Sequence, residues 1–254
     1  MSRPAPATRA TLAMTAMELR LTARRGENVL VMIVIPAVVL VFFASVAILP
    51  VAGRPVDFLL PGSIALAIIA TGMVNLGIAT AYERHYGVLK RLGGSPLPRL
   101  GLLTAKGLAV LAVEIAQVVL LVVIAVAVLG WQPVTGGSAG GGGSLPLLVI
   151  AIALGTAAFA GLGLAMAGAF RAEATLALAN LLFIAFMLVG GIVLPLDHLP
   201  GWLTPIATLL PASALADTIR IALGGAGDAL PRLALLGAWA VGASVVAAAT
   251  FRWD

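Results

Sequence analysis

The chain has 254 residues, 61% of them apolar and 10% charged, with a net charge of +5 and no cysteine. Soluble domains carry about 25% charged residues, so this chain lacks the charge to cover a water-exposed surface, and its apolar content excludes disorder. Without cysteine, and with only His85 and His198, disulfides, thiolate metal sites, iron–sulfur clusters and cysteine nucleophiles are excluded and a histidine metal centre has little to draw on.

From Thr8 to Arg25 there is neither proline nor glycine, and the segment predicts an interfacial helix over about 8–26. Its amphipathicity is imperfect: Leu12, Ala16, Leu19 and Ala23 share a face, while Met14, Met17 and Leu21 fall elsewhere. Arg24-Arg25 ahead of an apolar run superficially resembles a twin-arginine signal, but that run exceeds the 7–15 residues of a signal core. It reads as a retained first span at about 28–50, within the 26 uncharged residues between Glu27 and Arg54. A second span, about 58–82, fills the 25 uncharged residues between Asp57 and Glu83, with Pro61-Gly62 suiting a helix start. The third, about 101–129, contains Lys106 and Glu114. Residues 115–170 carry no charge, too many for one span, and break at Trp131-Gln132-Pro133 and at the glycine-rich linker Gly136 to Ser144. Spans four to six follow at about 145–170, 175–194 and 232–251. The expected fold is an all-α integral membrane domain of six transmembrane helices.

The uncharged stretch Leu199 to Ala216 is not counted as a span. Pro195, Pro200, Pro205 and Pro211 recur through it, and such spacing interrupts a helix where lipid cannot satisfy the freed backbone. Residues 195–220, with Asp197 and an interfacial Trp202, therefore predict short external or re-entrant helices. Placing the N-terminus inside puts twelve of the fifteen lysines and arginines on the inner side, with only Arg54, Arg220 and Arg232 outside. This positive-inside bias predicts cytoplasmic termini and accounts for the excess charge through topology and anionic lipid, with no nucleic-acid partner.

No Walker A sequence, HExxH, GxSxG or paired-carboxylate arrangement occurs, so no enzymatic activity and no cofactor are expected of this chain. The informative stretch is 83–99, Glu83-Arg84-His85-Tyr86-Gly87-Val88-Leu89-Lys90-Arg91-Leu92-Gly93-Gly94-Ser95-Pro96-Leu97-Pro98-Arg99. Topology alone needs only positive charges. Here an acidic residue ends span two and a short helix follows with Val88, Leu89 and Leu92 along one side, which suits either a plain basic loop or a helix docking on a soluble partner.

The pattern E-R-x-x-G-x-L-x-x-L-x-x-S-P-x-x-R resembles the permease subunit of ABC-2 type ATP-binding-cassette exporters, the daunorubicin-resistance-like efflux permeases common in actinobacteria. Pro61-Gly62, Arg171-Ala172-Glu173-Ala174 with Asn180, the run Pro195 to Leu203, Pro211 and Asp217-Thr218-Ile219-Arg220 agree in order, from about residue 10 to 251. His85 and Val88 depart from the family pattern, where a second acidic residue and threonine are frequent. The resemblance implies a coupling helix in loop 83–99, with Glu83, Arg84, Gly87, Leu89 and Leu92 as coupling positions. It also implies a separate P-loop ATPase subunit carrying ATP and magnesium, a second permease chain (identical or not), and a bacterial cytoplasmic membrane. Pro195, Asp197, Pro200, Trp202 and Pro211 would belong to an external segment capping the path.

Glu114 lies at span depth, where a carboxylate costs about 2.5–3.5 kcal/mol on insertion scales. It must be paired, neutral or next to water, with Gln117, Asn75 and Asn180 as possible partners. One reading is a polar group in the transport path; the other is a hydrogen bond fixing helix packing. Three functions remain open: an ATP-driven exporter of a hydrophobic or amphipathic compound, a proton-coupled secondary transporter using Glu114, and a non-transporting membrane scaffold.

Overall fold

A computed structural model describes residues 6–24, 26–46, 53–93, 99–132 and 143–250, with side chains described except at 7, 26–31, 92–93 and 99–100. The described residues contain helices and turns and no strand. The helices are α1 (Ala7–Arg24), α2 (Gly26–Val46), α3 (Pro55–Ile68), a π-helical stretch (Ile69–Asn75), α4 (Leu76–His85), α5 (Val88–Gly93), α6 (Arg99–Ala127), α7 (Leu145–Ala169) and α8 (Ala172–Val189). A 3-10 turn (Leu196–His198), α9 (Thr204–Thr208), α10 (Pro211–Ala222) and α11 (Ala229–Thr250) complete the order.

Five helices among the described residues are long and apolar enough to cross a membrane: Pro55–His85, Gly101–Ala127, Leu145–Ala169, Ala172–Val189 and Ala229–Thr250. Met32–Val46 forms a shorter apolar helix. The expected first span at 28–50 extends past this helix onto residues outside the described set, as does most of the glycine-rich linker 136–144.

Two boundaries differ from the sequence reading for local reasons. Pro61-Gly62 does not open span two. Pro55 occupies the first turn, where its missing N–H costs nothing, Asp57 complements the helix N-terminus, and Pro61 lies inside α3. Gly62 instead lets the backbone carbonyl of Ile192 pass where a Cβ would stand. The fifth span ends at Val189, not near 194, because Gly190 and Gly191 (φ 67°) turn the chain.

α3 is apolar on every side and is buried continuously from Leu59 to Ile68, which places it at the centre of the bundle. α2, α6, α7 and α10 pack around it, and α11 lies along α7. α7 approaches the π-helical stretch at Gly163, where a Cβ would meet Met73 O at 2.7 Å and Gly72 O at 2.9 Å. Only glycine permits that contact, as expected where helices associate without a hydrophobic driving force. The outer helices leave apolar stripes uncovered: Ile115, Val119, Val123 and Val126 on α6, and Leu181, Ile184 and Leu188 on α8. Stripes of that extent match a lipid-facing surface.

Side-chain caps tie alternate helix ends together. At one end Arg84 Nη1 donates to Gly168 O at 2.6 Å and Nη2 donates to Phe170 O, at the C-terminus of α7. At the other end Arg54 Nη2 donates to Gly130 O at 2.7 Å, in the turn that ends α6. Both place a guanidinium where the helix dipole is negative. The first end also carries α1 and its arginines and is called the basic end below.

Candidate functional site

At the basic end α4 stops at His85, and Gly87 adopts φ 70° before α5 begins. A Cβ at Gly87 would meet nothing within 4 Å, so the requirement for glycine is the backbone conformation itself. Leu89, 1% exposed, anchors α5 by packing with Leu102 of α6 and Met14 of α1. Tyr86, Val88, Lys90 and Arg91 face outward, with Tyr86 69% exposed and stacked on Tyr82.

The residues that precede this turn are held from within. Lys106 of α6 is 1% exposed, and its Nζ lies 2.7 Å from Glu83 Oε2 and 2.8 Å from Glu18 Oε1. One ammonium thus joins α1, α4 and α6. A lysine drawn this far into apolar surroundings stays charged only with such partners. Of the five expected coupling positions, Glu83, Arg84 and Leu89 therefore point into the protein and fix the start of α5, Gly87 sets its direction, and the Leu92 side chain lies outside the described residues. The sequence reading sets Val88 on the same side of the helix as Leu89; instead Leu89 is buried and Val88 turns outward with Lys90 and Arg91, beside the exposed Tyr86. Lys106 was also missed; its signal was a cation in an apolar run with acidic residues at 18 and 83.

Between these helices a crevice of about 40 Å³ runs from Glu18, Glu83 and Lys106 to Asn75 and Thr71. It holds a few waters at most and is far too small for a drug-sized compound.

The four polar candidates of the membrane interior do not form one cluster. Glu114 is fully buried, and Thr156 of α7 donates to its Oε2. Glu114 Oε1 has no partner and lies toward Gly72 of the π-helical stretch. Gln117 accepts from Thr71 Oγ1 at 2.9 Å and donates to Met32 O at 3.2 Å, linking α6 to the π-helical stretch and α2. Asn75 is half-buried and lines the crevice, while Asn180 is exposed and donates to Leu176 O of its own helix at 2.9 Å. The partner of Glu114 is thus Thr156, a residue not considered from the sequence, in place of Gln117, Asn75 or Asn180.

At the opposite end Pro195 precedes the 3-10 turn, Asp197 and Trp202 (72% exposed) face outward, Pro200 is exposed, and Pro211 is buried at the start of α10. Ser213 Oγ donates to Ala207 O at 2.6 Å, and α10 returns into the core against α3, α7 and α11. The described residues hold no group of three or more His, Asp or Glu able to bind a metal ion.

A sequence profile of the ABC-2 type transporter family matches residues 9–223, from within α1 to the end of α10. The chain belongs to the ABC-2 type transporter family. Its match covers the crevice, the Gly87 turn, the span helices through α8 and the segment after α8 as far as the end of α10. Comparison with curated proteins finds no match. As an ABC-2 membrane component the chain is a permease element, not a catalytic domain, and this family works with an ATP-binding subunit.

Proposed function

We propose that this ABC-2 chain is the permease subunit of an ATP-driven exporter, moving a hydrophobic or amphipathic compound out across a bacterial cytoplasmic membrane. The observation that carries the reading is α5. It is a short helix set at a fixed angle by Gly87, anchored by Leu89, and presenting Val88, Lys90 and Arg91 beside the exposed Tyr86 at the basic end. Such a helix meets a cleft on a separate P-loop ATPase subunit, which holds ATP and magnesium. The Lys106 cluster carries its displacement into α1, α4 and α6. On this reading the basic end and both termini are cytoplasmic, α1 lies along the inner surface, and a second permease chain completes the path. The segment from Pro195 to Pro211 caps the path on the outside, as in the daunorubicin-resistance-like permeases that the chain resembles. Glu114, Gln117 and Asn75 then line or brace the path, while Asn180 faces away from it.

The test is reconstitution in proteoliposomes, with and without a P-loop ATPase subunit encoded beside the chain, following a fluorescent amphipathic dye. Export that requires ATP and survives collapse of the proton gradient supports the proposal. Transport that persists without any ATPase and stops with the gradient supports a secondary transporter, and no movement under either drive supports a scaffold.

A further inference from the structure

Two of the three arginines assigned to the end opposite the basic one converge on a single cavity. This cavity of about 490 Å³ lies where α10 gives way to α11 and is lined by Asp217, Arg220, Asp228 and Arg232. Its size is that of a small-molecule site. Its two arginines and two aspartates balance formally, but both arginines are paired with the same aspartate. Asp217 serves both arginines, with Oδ1 2.6 Å from Arg220 Nη1 and Oδ2 3.4 Å from Arg232 Nε. Asp228 Oδ1 accepts from Leu230 N at 3.0 Å at the start of α11, where the helix N-terminus offsets its charge. Two guanidinium groups thus share one carboxylate.

Arg220 is fixed in place: Nη2 donates to Gly191 O at 3.0 Å and the group stacks over the Phe58 ring at 4.2 Å. Its Nε is buried and has no hydrogen-bond partner. Arg232 makes one long ion pair and is the last charged residue before the uncharged run 233–251, so the cavity lies where the hydrocarbon begins. That is the depth of lipid phosphates. Arg54, the third arginine at this end, spends its donors on the carbonyls of Leu129 and Gly130.

We infer that the cavity between α10 and α11 binds a phosphate group, held by Arg232 and Arg220, at the membrane surface opposite the basic end. A guanidinium fork matches phosphate oxygens in pairs, and Arg232 has donors to offer beyond its contact with Asp217. The phosphate can come from a lipid headgroup or from a soluble phosphate, and the inference is independent of the transport reading.

The experiment measures retention of fluorescent phosphatidylglycerol by the purified full-length chain, against a phosphate-free galactolipid with the same acyl chains. The wild type is expected to retain the phospholipid preferentially. Arg232→Gln is expected to lower retention by about tenfold, as loss of a charge-assisted pair does, and Arg54→Gln to leave it unchanged. Competition by millimolar inorganic phosphate identifies free phosphate as a sufficient ligand. Arg232-dependent retention without such competition identifies the lipid headgroup. Equal retention of both lipids, or retention unaffected by Arg232→Gln, overturns the inference. Should Arg232→Gln melt early, Arg232→Lys keeps the charge without the fork, and wild-type retention in that variant overturns it equally.

Discussion

Glu83 Oε2 lies 2.7 Å from Lys106 Nζ, and the same ammonium lies 2.8 Å from Glu18. One buried cation thereby holds two carboxylates from different helices, so its removal leaves like charges facing each other. Breaking a fully buried ion pair from one side costs about 3–5 kcal/mol. Both carboxylates keep some water, at 13% and 14% exposure, which places Lys106→Met toward or below the lower end of that range. A lower melting temperature in detergent is expected for Lys106→Met, with a smaller drop for Glu18→Gln, which leaves the Glu83 pair in place. Equal melting of Lys106→Met and wild type would show that the cluster holds nothing together.

Gly87 separates stability from coupling. A left-handed backbone costs a non-glycine residue about 1–2 kcal/mol, and a Cβ here has open space around it, so Gly87→Ala adds only that local strain. Gly87→Pro cannot adopt φ 70°, because the ring fixes φ near −65°. It must redirect α5 while the spans, which do not include this turn, stay assembled. The expected outcome is normal membrane insertion with loss of ATPase-dependent transport. Full transport in Gly87→Pro would remove α5 from the coupling mechanism.

The spans were legible because charges cannot sit unpaired in lipid: the gaps between Asp57 and Glu83, or Glu173 and Asp197, mark helices before any folding is known. The prolines from 195 to 211 likewise announced a broken segment, and the chain forms a 3-10 turn and two short helices there. What one sequence hides is which side of a helix meets which neighbour. Glu83 and Leu89 look like surface residues of a loop, and only the packing of α1 against α6 turns them inward. Pro61 carried a plausible helix-start signal, but Pro55 with Asp57 supplied a better one six residues earlier. The π-helical stretch left no readable pattern, since a one-residue widening changes bonding without changing composition.

Glu114 distinguishes the competing drives. Its one polar partner is Thr156, and a glutamine of the same shape retains that hydrogen bond without a charge. Glu114→Gln is therefore expected to stay within about 1 kcal/mol of wild type, the net worth of an ordinary hydrogen bond. Glu114→Ala, which leaves a cavity beside Gly72 while Thr156 keeps its bond to Ile152 O, is expected to cost about 2–5 kcal/mol. ATP-driven dye export should survive Glu114→Gln, measured as initial rate in proteoliposomes. Abolished export with an intact fold would instead make the exchangeable proton of Glu114 part of the transport cycle.

Gly163 tests whether the crossing of α7 over the π-helical stretch organises the bundle. Any side chain there begins 2.7 Å from Met73 O and 2.9 Å from Gly72 O, both backbone atoms that cannot swing aside. Gly163→Val must separate the two helices, and overpacking of this kind costs about 1–3 kcal/mol or more. Gly237, half-buried on α11, has room for a Cβ with nothing within 4 Å, so Gly237→Ala serves as the matched control. That change removes a glycine from a helix interior, worth up to about 1 kcal/mol in favour of alanine. Thermal unfolding should therefore move in opposite directions for the two variants. A Gly163→Val protein as stable as wild type would mean that α7 and the π-helical stretch do not cross in contact, and that the position of Glu114 between them needs another support.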